Sequence, residues 1–470
     1  MLFTKGRSRV EMALVGSGKF GFDQARHQLQ DVHAHIVLTS DVATNMTGQT
    51  ALLTAVALCA RCFGLVSVSV PPGTPYSANL PITAETLEVA ARSLGATSTD
   101  TEATHSIVIG AGETHAPGTT PVRATWQGWT ALVSPAEDNV EACDGDIPLS
   151  GIAAAALAVG ELFQKRRGDP LAGRRAQRIR LWSVGMGETD PGPESIAMLP
   201  RDIWLIGLGN LGQAYLWALS TLNYANPADV SLILQDFDRV DDENFGTSIL
   251  TRPDDCGKLK TNIAEDWCLR RGFTVSRIDR RLDKNTRRED TEPFLAFSGL
   301  DKVTPRKMLG DCGFQYVIDA GLGANAEDFD LVRVNTFVDA EFSPADHFAN
   351  QHDIDERTRA NAAIGSVKAY KDAEAAAHSD QAQCGLLDVA GKSIAVPYVS
   401  ALASCLVLVQ AIRIISGYAP HKSICGQASD VDGIRSHLGI KTTRLLVGHA
   451  EAHQNNALHT TAPHSTYKQP

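Results

Sequence analysis

The chain reads as an α/β protein made of two doubly wound domains in tandem, the first degenerate. Three observations predict this. Short apolar runs ending at glycines alternate with segments of helical apolar spacing, the rhythm of a parallel sheet with crossover helices. Blocks of the first half recur, in the same order, in the second. The 470 residues, 43% hydrophobic and 21% charged, hold enough apolar material for two or three cores.

Taken in order, the N-terminal MLFTKGRSRVEMALVG lacks the apolar core and small-residue cleavage site of a secretory leader. Three pairs of blocks carry the repeat. Gly16-Ser17-Gly18-Lys19-Phe20-Gly21 answers Gly207-Leu208-Gly209-Asn210-Leu211-Gly212, and V-I-G-A-G at 108–112 answers V-I-D-A-G at 317–321. Ile147-Pro148-Leu149 before GIAAAALAVGELF answers Val396-Pro397-Tyr398 before SALASCLVLVQAI. The basic, Gly- and Pro-punctuated KRRGDPLAGRRAQR and the turn-rich GETDPGPES mark the joint. Domains are therefore expected at 1–165, with a linker at 166–200 and the second domain at 201–340 and 391–450. A polar crossover at 341–390 interrupts the second domain, and a polar tail fills 451–470.

Composition narrows the partners. A net charge of −11 argues against duplex nucleic acid, which requires a cationic face. The apolar stretch Ile394–Ile415 carries Pro397, Gln410 and Arg413, which suits a buried core helix rather than a membrane span. Nine cysteines at irregular spacing read as free thiols in a reducing compartment, hence the cytoplasm. The Cys59–Cys62 pair lies in the apolar run LLTAVALCARCF and reads as packing rather than as a zinc site.

The second half carries the chemistry. Ile203–Ile206 reads as a buried strand, and Gly207, Gly209 and Gly212 follow it and open a helix over Leu211–Leu222. Such a turn lets phosphate approach backbone amides at a helix N-terminus. Strands are expected at Val230–Leu234, Phe294–Phe297 and Tyr316–Ile318. After the second strand, Asp236-Phe237-Asp238 places a carboxylate for ribose hydroxyls. The competing reading is a turn with a capping acid. No D-x-D follows HIVLTSD in the first half, which is expected to bind no nucleotide.

The stretch D-F-D-R-V-D-D-E-N-F-G-T-S-I-L-T-R-P-D-D-C-G-K-L-K at 236–260 resembles the ThiF/MoeB/E1 superfamily, with its Rossmann-like domains. Asp238, Val240, Asn244, Arg252, Pro253, Asp255, Gly257 and Lys260 match the family pattern D-x-D-x-V-x-x-x-N-L-x-R-Q…R-P-x-D-x-G-x-x-K. FLAFSGLD, with Asp301 and then Arg306, resembles the family's T-D-N-x-x-x-R. The resemblance implies ATP bound through Gly207, Gly209, Asn210, Gly212, Asp236, Asp238, Asn244, Arg252 and Lys260, with Mg²⁺ on Asp301. The competing reading of Asp301 is a helix N-cap. The family's arginine is missing after Asn244-Phe245-Gly246-Thr247-Ser248, and Arg252, Arg7 or Arg9 is expected to replace it.

The resemblance also implies a thioester cysteine in the crossover, where Cys384 stands. An unreactive loop thiol is the competing reading. The implied activity is adenylation of the C-terminus of a ubiquitin-like protein, then thioester transfer toward an E2-like conjugating partner. The pairing of domains without zinc cysteines looks like the E1-like proteins of bacterial conjugation operons associated with antiphage defence. Two alternatives are a ThiF/MoeB-type enzyme serving a sulfur carrier and a nucleotide-sensing scaffold without turnover.

Overall fold

The computed structural model describes residues 4–185, 190–338, 342–377, 379–439 and 448–453. The first half opens with two helices, α1 (Ser8–Val15) and α2 (Phe22–Gln30). A run of β1 (His33–Leu38), α3 (Met46–Cys62), β2 (Leu65–Ser69), α4 (Leu87–Ser93) and β3 (His105–Ile109) follows. β4 (Val122–Gln127), β5 (Thr130–Pro135), α5 (Pro148–Arg166) and β6 (Gln177–Arg180) complete it. The six strands form one sheet in the order β2-β1-β3-β4-β5-β6.

The second half begins at β7 (Met198–Pro200) and continues through β8 (Asp202–Ile206), α6 (Asn210–Thr221), β9 (Ser231–Gln235) and the short α7 (Asn244–Thr247). Next come α8 (Lys260–Arg271), β10 (Thr274–Ile278), β11 (Leu295–Ser298), α9 (Val303–Met308), β12 (Tyr316–Leu322) and β13 (Leu331–Val338). Four helices form the crossover: α10 (Pro344–His347), α11 (Glu356–Ser366), α12 (Lys368–Ala376) and α13 (Asp380–Gly391). The chain returns through α14 (Pro397–Ile415), β14 (His421–Gln427), β15 (Asp430–Leu438) and β16 (His449–Glu451). Its eight-stranded sheet runs β10-β9-β8-β11-β12-β13-β14-β15, parallel from β10 to β12 and antiparallel beyond.

The four strands and the helix expected from the second-half sequence are present, shifted by a few residues at most. α14 is the helix expected over the apolar stretch. It is the one described helix long and apolar enough to cross a membrane, and the fold buries its whole length. α5 is buried along nearly all its length too; both start with proline in the first turn and both lie in one core that spans the two halves. A helix apolar on every side is stable in water only as such an interior element.

The two halves share a strand order, β2-β1-β3 in one and β9-β8-β11 in the other, but the paired sequence blocks are registered differently on it. Only the Ile147-Pro148 and Val396-Pro397 pair falls on equivalent elements, the starts of α5 and α14. Gly16, Gly18 and Gly21 follow α1, not a strand, so they belong to a helix–helix connection. V-I-G-A-G ends β3, which lies beside β1 as β11 lies beside β8, whereas V-I-D-A-G lies in β12. The stretch 166–200 is likewise not all linker, because β6 pairs with β5 and completes the first sheet.

The two sheets differ in their outer faces. In the second, Trp204, Ile206, Ile233, Phe314, Phe337 and Phe348 build a second apolar layer. The corresponding face of the first presents His33, His35, Ser67, Ser106, Arg123 and Thr125, according to the strand register. The double layer of a doubly wound domain is thus found in the second half alone, among the described residues. The tail beyond 453 lies outside them.

Candidate active site

β8 lies between β9 and β11, where the crossovers diverge and an open α/β sheet leaves a crevice. Gly207 turns the chain there with φ +85°, a left-handed conformation that favours glycine. A Cβ at Gly212 would sit 2.0 Å from the Gly207 carbonyl oxygen, so the first turn of α6 packs directly on the loop. Gly209 differs: a Cβ there would have no heavy atom within 4 Å. It leaves the backbone open to an approaching group. Beside it, at the first position of α6, both polar atoms of the Asn210 amide are buried and have no hydrogen-bond partner among the described residues. Two unsatisfied polar atoms at a helix N-terminus fit an absent ligand.

Asp236 holds this loop rather than facing outward. Its Oδ2 accepts the Leu208 N–H at 2.6 Å and its Oδ1 accepts the Asp238 N–H at 2.8 Å. The capping-acid reading is therefore what Asp236 shows, and the open carboxylate is Asp238. Lys260, the first residue of α8, places Nζ 3.0 Å from the Asp238 Oδ2; the lysine side chain is 13% exposed and the aspartate side chain 46%. The N–H of Lys260 also donates to the Asp238 carbonyl at 3.0 Å. Asn244 is buried and accepts the Asp241 N–H at 3.1 Å, so it builds the turn before α7. Arg252 is exposed, its N–H donating to Asp255 at 2.8 Å.

Asp301 follows β11 and is exposed. It does not cap α9, because Asp353 accepts the N–H groups of Val303 and Thr304 at 2.5 and 3.1 Å. Arg306 turns away from Asp301 to pair with the buried Asp319, Nε to Oδ1 at 3.0 Å, and Ser298 Oγ donates to the same oxygen at 2.7 Å. The loop after β11 touches the glycine turn, since a Cβ on Gly207 would meet Gly299 at 3.0 Å. Gly207, Gly209 and Asn210 therefore stand with Asp238 and Lys260 at the carboxyl ends of β8 and β9, Gly212 packs against the turn, and Asp301 follows the neighbouring β11.

Residues from the first half reach this region. α1 packs on α7, where the Gly246 N–H donates to the Gly6 carbonyl at 2.8 Å. Arg7 donates to the Ala60 carbonyl within the first half at 2.9 Å. Of these two, Arg9 is the one that crosses, its Nε donating to the Ser393 carbonyl at 2.7 Å. Burial pulls the Arg9 pKa down, and the carboxylates of Glu243, Asp241 and Asp301 oppose that pull. Sequence reasoning missed Arg61 and Gln213. Arg61 is 5% exposed at the end of α3 and donates to carbonyls of the loop after α7; Gln213, in α6, ties the same loop to the Leu208 carbonyl. One sequence signal did exist, a lone arginine inside the apolar run LLTAVALCARCF.

The thiols sort by exposure. Cys384 lies on α13 and is exposed, as are Cys256 and Cys425. Burial pushes the Cys62 thiol up to about 12 and the Cys312 thiol up to about 11. Cys405 is buried in α14, and its thiol donates to the Leu149 carbonyl at 3.3 Å. Cys59 and Cys62 are packed inside α3, and no metal-ligating cluster occurs among the described residues.

Family comparison assigns the two halves separately. Residues 33–181 match the BilD N-terminal domain and residues 199–418 match the BilD C-terminal domain. The bacterial E1-like protein BilD of Collimonas sp. (strain OK412) is 31% identical over 441 residues, covering 91% of this chain and 92% of that protein. Among solved structures, E. coli MccB with MccA-N7isoASN aligns with a TM-score of 0.35 and 16% identity, over 53% of this chain and 66% of that chain. E. coli MccB with ATP aligns at 0.34 and 17%, with the same coverage. With both of its halves matched and a relative aligned along almost its whole length, the chain belongs to the BilD family of bacterial E1-like proteins.

Proposed function

We propose that this chain is an ATP-dependent activating enzyme that adenylates the C-terminal carboxylate of a ubiquitin-like protein. The acyl group then passes to Cys384 as a thioester and onward to an E2-like partner. One observation supports the reading: the open glycine turn with its unpartnered Asn210 amide and the Asp238–Lys260 pair lie at the carboxyl ends of the adjacent strands β8 and β9, and the exposed Asp301 follows the next strand, β11. Membership in an E1-like family supports it. The first half is its non-catalytic complement, and the nine unpaired cysteines suit a cytoplasmic reaction. Conjugation of the kind associated with antiphage defence is the biological setting we assign.

In this reading the triphosphate lies over Gly209 and the start of α6, where backbone N–H groups and the helix dipole favour an anion. Asp238 accepts a ribose hydroxyl. Lys260 and Arg9 supply positive charge, the latter in place of the arginine missing after Asn244. Asp301 would hold Mg²⁺, whose charge would neutralise phosphate oxygens. The modifier's carboxylate oxygen attacks the α-phosphorus, and the bond to pyrophosphate breaks. Preorganised charge is the main contribution of the protein to such a step. The Cys384 thiolate then attacks the acyl carbon, AMP leaves with the electron pair of the broken C–O bond, and a thioester remains.

The test separates the half-reactions. Wild type with its modifier should catalyse ATP–pyrophosphate exchange and form a thiol-sensitive adduct. Cys384→Ala should keep the exchange and lose the adduct, whereas Cys256→Ala and Cys425→Ala should keep both. An adduct on the Cys384 variant shows that another thiol is the acceptor. Exchange without any adduct in wild type transfers the case to the sulfur-carrier reading, and no exchange at all leaves the nucleotide-sensing scaffold.

A further inference from the structure

Between α7 and α8 the backbone of residues 248–251 is almost wholly buried, although it belongs to no strand or helix. Its polar groups must find partners inside the protein. Gln213 accepts two of its N–H groups, Leu250 at 2.9 Å and Thr251 at 3.1 Å, and its own Nε2 donates to Thr251 Oγ1 at 3.0 Å and to the Leu208 carbonyl at 3.3 Å. The carbonyls are met from the other half of the molecule. Arg61 Nε donates to Ser248 at 3.1 Å, and Nη2 donates to Ile249 at 2.5 Å and Thr251 at 3.1 Å. The remaining nitrogen, Nη1, donates to Ala57 within α3 at 2.7 Å. The guanidinium also stands 5.5 Å over the Phe245 ring.

Every one of these four acceptors is a neutral carbonyl, and among the described residues no carboxylate bonds this buried arginine. A planar five-donor fork is the group that spans three carbonyls of one short loop; an ammonium is not. The segment so gripped joins the end of α7 to Arg252 and is tied to the glycine turn through Gln213. We propose that Arg61 is a positioning residue through which the non-catalytic half sets the geometry of the nucleotide site. This rests on the nucleotide reading given above. The first half therefore contributes precision to the site as well as buried surface.

The test uses the full chain with Arg61→Met and Arg61→Lys. Hydrogen exchange of a peptide covering 244–252 should quicken on the order of tenfold or more in Arg61→Met, while peptides from β8 and β11 keep wild-type rates. In ATP–pyrophosphate exchange below the melting range, KM for ATP should rise roughly tenfold with a smaller change in kcat, as expected for displaced binding groups. Arg61→Lys should fall between, and if the methionine variant does not fold, the lysine variant alone decides by the same two readouts. Unchanged exchange in 244–252 together with an unchanged KM overturns the proposal, as does a uniform quickening across both sheets. If wild type shows no pyrophosphate exchange, the nucleotide reading fails, and local hydrogen exchange still decides whether Arg61 holds the loop.

Discussion

Replacing Lys260 with alanine removes the side-chain cation bonded to Asp238, the carboxylate proposed for the ribose. Its Nζ stands 3.0 Å from Asp238 Oδ2, and the lysine side chain is 13% exposed, so its charge acts in a partly desolvated crevice. A unit charge about 4 Å from a phosphate oxygen contributes on the order of 4 kcal/mol at an effective dielectric of about 20. Part of this is returned, because Asp238 is 46% exposed and water resolvates it once the lysine is gone. A net loss of about 3 kcal/mol corresponds to a fall in kcat/KM of roughly a hundredfold or somewhat more. The fold should lose about 1 kcal/mol at most, as is usual for a half-open ion pair. ATP–pyrophosphate exchange beside thermal melting of the same preparation measures both quantities. Exchange in Lys260→Ala within about threefold of wild type would refute the placement of phosphate at this lysine.

The other predictions concern the loop, the first half and pH. Gly209→Ala should keep its melting temperature and raise KM for ATP, because its Cβ enters open space where the ligand would lie. Gly212→Ala should lower the melting temperature instead, since its Cβ would lie 2.0 Å from the Gly207 oxygen; equal effects from the two would contradict the geometry. Calorimetric titration should find one nucleotide per chain, and two equivalent sites would show that the first half also binds. Burial, with Arg166 and Lys165 close by, presses His105 down from 6.5 to about 4, so the folded protein holds it neutral. The unfolded chain takes up that proton first. Stability is therefore complete above pH 6.5 and is lost as pH falls toward about 4, a slope that urea titrations should find reduced in His105→Asn.

What the sequence revealed follows from how local each signal is. The strands and helix around Gly207 were legible because apolar runs, glycines and helical spacing are properties of neighbouring residues. The spacing of Asp238 and Lys260 was legible as a motif, and the fold joins them across 22 positions. The role of Asp236 was not, because two carboxylates two residues apart look alike until the Leu208 N–H is seen to occupy one of them. The repeat was found but misregistered, since glycines recur for unrelated reasons: Gly16 ends a helix, whereas Gly207 ends a strand. Arg61 was out of reach for another reason. Its partners in the other half lie 187 to 190 positions away, and no periodicity announces a bond between a side chain and a distant backbone.

The turn of the first half that corresponds in topology to the Gly207 turn is built differently. β1 and β3 stand in the first half as β8 and β11 stand in the second half, so the turn after β1 occupies the place of the Gly207 turn. That turn, Thr39–Asn45, has no glycine. Asp41 instead accepts the N–H groups of Ala111 and Gly112, both at 3.1 Å, and Asn45 accepts the Gly48 N–H at 3.0 Å as the N-cap of α3. Three backbone donors near this turn are thus taken by the chain's own side chains, and a phosphate there would also meet the charge of Asp41. Unpartnered donors in a buried turn are costly, which gives a physical reason for a carboxylate to accept from them. α3, the helix that such a turn would have aimed at a nucleotide, carries Arg61 at its far end, and that end meets the loop of the other half.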